Sequence, residues 1–71
     1  MTTYVIFEMQ TDAEGNVLFV TPVQFTSEVD AWSAFFLTIS YAIKSTVPSH
    51  TVMLCTNDGR VLDSRNYVHG G

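Results

Sequence analysis

The chain has 71 residues, of which 46% are apolar and 14% charged, with a formal net charge of −4. That length supports one hydrophobic core and therefore one domain over residues 1–71. The only cations are Lys44, Arg60 and Arg65. They are too few and too scattered to neutralise a run of phosphates, so nucleic acid and anionic membrane surfaces are both disfavoured as partners.

From the N-terminus, "TYVIFEMQ" is rich in β-branched and aromatic residues and reads as a strand. Its alternation puts Val5, Phe7 and Met9 on one face and Tyr4, Ile6, Glu8 and Gln10 on the other. "TDAEGN" follows as a hairpin loop, with Gly15 supplying a positive φ. Its acids do not make a calcium loop, because the glycine stands at the fourth position and no bidentate glutamate closes it. "VLFVTPVQF" is the second strand. Pro22 has no amide hydrogen for a ladder, so this strand is expected at a sheet edge or with a bulge.

Ser27 is a good N-cap for a helix from about Glu28 to Thr46. Glu28 and Asp30 in its first turn and Lys44 near its end suit the dipole, and Pro48 prevents continuation. Val29, Trp32, Phe36, Ile39 and Ile43 recur at spacings of 3 and 4, with Ala31, Phe35 and Ala42 widening the stripe, so this face is expected on the sheet. A second apolar strip, Ala34, Leu37 and Tyr41, runs along the other side. A membrane span is excluded by Ser33, Thr38 and Ser40 within the run and by the bounding charges Asp30 and Lys44. "HTVMLCT" and "RVLDSRNYV" then flank "NDG", a strong hairpin signal. The element order is β-β-α-β-β. The expected fold is α+β in two layers, a mainly antiparallel four-stranded sheet with one helix packed on one face.

Few residues offer chemistry. Cys55, the only cysteine, sits among apolar strand neighbours as a packed thiol and cannot form an internal disulfide. His50 lies five residues back on the same strand and so faces the other side of the sheet. His50, Cys55 and His69 have no metal-ligand spacing, and no phosphate loop, nucleophile elbow or catalytic carboxylate pair is present. The reading is of a non-enzyme with no cofactor and no metal. A lone thiol and a start without a basic leader point to the cytoplasm.

A chain this short is marginal without a disulfide, metal or partner subunit. The apolar surplus therefore points to a homo-oligomer, most simply a dimer, with another protein as the further partner option. Burial is expected through the outer helix strip (Ala34, Leu37, Tyr41) or through the back of the sheet. Ile6, Leu18 and Val20, which fall opposite the main stripes of their strands, are the expected back-face residues.

The stretches "YVIFEMQTDAEGN", "DAWSAFF" and "VPSHTVMLCTNDGRVLDSR" resemble small uncharacterised proteins of Gram-positive bacteria. The likeness implies a bacterial setting, with a mobile element as one option, and brings no activity. The chain also resembles the ubiquitin-like carriers in length, element order and its final Gly70-Gly71. That likeness implies a β-grasp fold with the Gly71 carboxylate as the group to be adenylated. The carriers insert their last strand centrally and parallel to the first, whereas "NDG" here reads as a tight antiparallel hairpin.

Overall fold

The structure is a computed structural model and describes residues 1–69. The diglycine Gly70-Gly71 lies outside the described residues. Strands β1 (Tyr4–Thr11) and β2 (Val17–Phe25) precede helix α1 (Glu28–Lys44), and strands β3 (Ser49–Thr56) and β4 (Val61–Val68) follow it. The four strands form one antiparallel sheet in the order β2-β1-β3-β4, so the fold is α+β with the expected β-β-α-β-β order. β4 stands at an edge, antiparallel to β3, unlike the central, parallel last strand of the ubiquitin-like carriers.

Both hairpins follow from local chemistry. In the first, Asp12 Oδ1 accepts from the amides of Glu14 (2.9 Å) and Asn16 (2.8 Å), while Gly15 takes φ 87°. In the second, Gly59 takes φ 89° and the Thr56 hydroxyl donates to the Asp58 carboxylate. Only glycine enters the left-handed region readily, which is why both tight turns carry one. β2 is an edge strand and carries a bulge as well: the pairs Ile6↔Val23 and Glu8↔Val20 leave Thr21 and Pro22 opposite Phe7. Proline's missing amide therefore breaks no ladder bond.

Helix α1 starts where Ser27 Oγ accepts from the Asp30 amide (3.3 Å) and ends at Lys44, two residues before the expected stop. Glu28 in the first turn accepts from Tyr4 Oη (3.2 Å) and Trp32 Nε1 (3.3 Å), tying the helix start to β1. The face on the sheet is one side of the expected stripe, the residues that widen it, with Trp32 and Ile39 partly buried against the core. Ala31, Phe35 and Ala42 are buried, whereas Val29 (78% exposed), Phe36 and Ile43 face solvent. The helix is turned by about a quarter of a revolution relative to the bulky stripe. Two alanines allow close approach to the sheet and Phe35 fills the space between them, an arrangement that Trp32 and Phe36 are too large to make. Those two rings instead stack on one another at 5.9 Å along the flank.

The core consists of Ile6, Ala31, Phe35, Val52 and Leu54. Ile6 was expected at the back of the sheet and is instead 6% exposed beneath the helix. The alternation on β1 is as read from the sequence. Its phase relative to the helix is reversed, because both stripes are apolar and strand periodicity does not say which one meets the helix. Ala34 is likewise partly buried against the core, so it does not belong to an exposed strip. Among the described residues no helix is long and apolar enough to cross a membrane.

Candidate functional site

With the helix on one face, no layer covers the other face of the sheet among the described residues. Directly paired residues of antiparallel strands point the same way, so the register assigns this face. Phe7↔Met53, Met9↔Phe19, Met9↔Thr51 and Thr51↔Asn66 place these side chains together, opposite to Ile6, Val52 and Leu54. Phe19 is 74% exposed and Phe7 is also exposed. Together with Met9, Pro22, Thr51 and Met53 they line a shallow groove of about 500 Å³.

Glu8 is the one charged residue in the lining of the groove, and its carboxylate meets His50 Nδ1 (3.1 Å) on the helix side; the other charged residues lie elsewhere. Asp12 and Glu14 sit in the first turn, and Asp58 and Arg60 in the second, at the two ends of the sheet. Glu28, Asp30 and Lys44 belong to α1. Glu8 and Arg65 pair with Val52, and Asp63 with Leu54, on the helix side. The turn acids are held there by hydrogen bonds. The Asn16 backbone amide lowers the Asp12 pKa, and the Thr56 hydroxyl lowers that of Asp58.

The expected interface residues are therefore divided by the structure. Leu37 and Tyr41 are exposed on α1, without Ala34 beside them. Leu18 is exposed on β2 but pairs with Gln10 on the helix side. Val20 pairs with Glu8 and borders the groove. Of the residues that dominate the uncovered face, Phe7, Met9 and Phe19 belong to the stripes expected against the core, and Met53 joins them through its pairing with Phe7. The aromatic pair of Phe7 and Phe19 on adjacent strands was the available signal.

The possible chemical residues are kept apart. Cys55 is buried on the uncovered side, paired with Val5, while His50 is buried on the helix side. Among the described residues no cluster of three metal-ligating side chains occurs. The chain matches no model of a known protein family, no curated protein and no solved structure.

Proposed function

We propose that the chain is a non-enzymatic interaction module that works as a homo-oligomer, most simply a two-fold dimer in which the uncovered sheet faces pack on each other. The observation that carries this reading is a face bearing exposed Phe7 and Phe19, whose groove includes a single charged residue, Glu8, with its carboxylate engaged by His50 on the helix side. A chain of net charge −4 repels its own copies. This is the side on which two copies can meet without burying a carboxylate, whose desolvation costs several kcal/mol.

The area is sufficient. Four strands of eight or nine residues make a face on the order of 500 Å² in projection. Side-chain relief enlarges it towards the ~800 Å² per partner of a standard interface. Two-fold symmetry presents Phe7, Met9, Phe19 and Met53 twice. At about 1.5–3 kcal/mol per large side chain fully buried, discounted for partial exposure, the gain is on the order of 10 kcal/mol. Against an association cost of at least about 4 kcal/mol this leaves about 6 kcal/mol, a Kd of about 40 µM.

The test is light scattering after size-exclusion chromatography across a concentration series, on the natural chain and on Phe19→Glu. The expected result is a dimer that dissociates on dilution and a variant that stays folded and monomeric. A natural chain that remains monomeric at about 500 µM sinks the proposal, given the affinity estimated above.

A further inference from the structure

On the other side of the sheet, a pocket of about 180 Å³ lies between the C-terminal half of α1 and strands β3 and β4. Ile39, Ala42 and Val52 give it apolar walls, and His50, Arg65 and Tyr67 bring polar groups to it. His50 is 2% exposed, and its Nε2 is buried without a hydrogen-bond partner among the described residues. The pocket is independent of the proposed self-association surface, since the sheet separates the two.

The protonation of the ring follows from its other nitrogen. Glu8 Oε2 accepts from both His50 Nδ1 and Gln10 Nε2, each at 3.1 Å. An ionised carboxylate has only acceptors, so Nδ1 must carry the hydrogen. When the ring is neutral it presents a lone pair at Nε2, and an occupant of the pocket then has to bring a donor. Arg65 is the second polar element. Its Nε and Nη2 donate to Asp63 Oδ2 at 3.2 Å, and a guanidinium has five N–H groups in all.

Among the described residues no other group donates to Nε2; Asn66 and Tyr67 also line the pocket, and Asn66 Nδ2 donates to Thr51 Oγ1 at 2.8 Å. From α1 come only Ile39 and Ala42. His69 lies 6.1 Å from His50, ring to ring, and its Nε2 donates to the Ala42 carbonyl oxygen (2.7 Å). Tyr67 packs edge-on against His69 at 4.8 Å. The His50 ring is thus faced by Glu8 from β1, by Arg65 with Asp63 from β4, and by His69 beyond β4.

We propose that this pocket binds a small monocarboxylic acid together with one proton. The acid O–H donates to His50 Nε2, the second oxygen accepts from Arg65, and a short alkyl chain lies on Ile39, Ala42 and Val52. The volume equals the liquid share of about six waters, which a three- or four-carbon acid fills. The free acid is ionised at neutral pH, so the complex takes up one proton from solvent. That proton rests on the acid oxygen or on Nε2, and the balance is the same either way.

The experiment is a propionate titration of the full chain, labelled at histidine and followed by NMR, between about pH 6 and 8. The expected result is a saturable shift of the His50 ring signals, with an apparent Kd that weakens up to about tenfold per pH unit as pH rises. Arg65→Gln, at an exposed side chain that the fold does not need, is expected to weaken binding about tenfold. 1-Propanol, of similar shape but with no second oxygen, should bind more weakly than propionate by a similar factor. No saturable His50 response up to about 50 mM propionate, beyond any specific affinity, overturns the proposal and leaves a hydrated pocket. A Kd independent of pH, or an equal response to 1-propanol, overturns it as well.

Discussion

The two faces of the sheet have nearly the same apolar content and opposite fates. Beneath the helix, Ile6, Val52 and Leu54 are sealed by Phe35 and two alanines. On the other side, Phe7, Met9, Phe19 and Met53 form a similar row with no layer over it. Apolar composition alone does not make a core. A second layer has to fit, and one helix of 17 residues supplies a layer for only one side. The polar groups divide in the same way. The helix face contains a buried imidazole with a carboxylate partner, whereas the groove of the uncovered face includes no charged residue besides that partner, Glu8.

Substitutions should separate the two faces. The largest effect is expected from Phe35→Ala, which empties the centre of the core and costs about 3–5 kcal/mol. For a domain this small that is most of the folding free energy, so the far-ultraviolet circular dichroism melt should lose its cooperative transition. Phe19→Ala removes an equally large ring from the uncovered face. In dilute solution, where the chain is monomeric, its melt should move by less than about 1 kcal/mol, with dimerisation weakened at least tenfold in light scattering. A large stability loss for Phe19→Ala in the monomer would break the comparison, since it would make the uncovered face part of the core.

Smaller changes sharpen it. Glu8→Ala leaves buried His50 without its acceptor at Nδ1 and is expected to cost about 1–3 kcal/mol by urea unfolding. Ser27→Ala removes the helix cap and should cost about 1 kcal/mol in the same measurement. The smallest effect is one of pH. Hydrogen bonds hold the Asp12 and Asp58 carboxyls below their ordinary range, so their contribution is complete above that range and is lost as pH falls through the lowered native values. The protection of the Glu14 and Asn16 amides, measured relative to the intrinsic exchange rate at each pH, should therefore fall below about pH 4 while the core amides stay protected.

Much of this was legible along the chain. The four strands, the two glycine turns, the Ser27 cap and the edge character of the Pro22 strand each follow from chemistry within a few residues. The separation of His50 from Cys55 followed from strand alternation alone. The candidate surfaces were less legible. Ile6 and the Phe7 stripe exchange places between interface and core, and Val29, Phe36 and Ile43 leave the sheet-facing side of the helix. In each case two apolar stripes of similar strength compete for one covering layer, and periodicity gives their spacing but not their destination.

By itself, then, the sequence determined the elements, their order, the turn types and the absence of charge from one strand stripe, because those are matters of local backbone and side-chain chemistry. Only the tertiary structure decided which stripe the helix covers. It also brought His50, Arg65 and Tyr67 to one pocket and set the Glu8 carboxylate against the His50 ring. These are contacts between residues far apart in the chain, and they depend on how closely Ala31 and Ala42 let the helix approach the sheet.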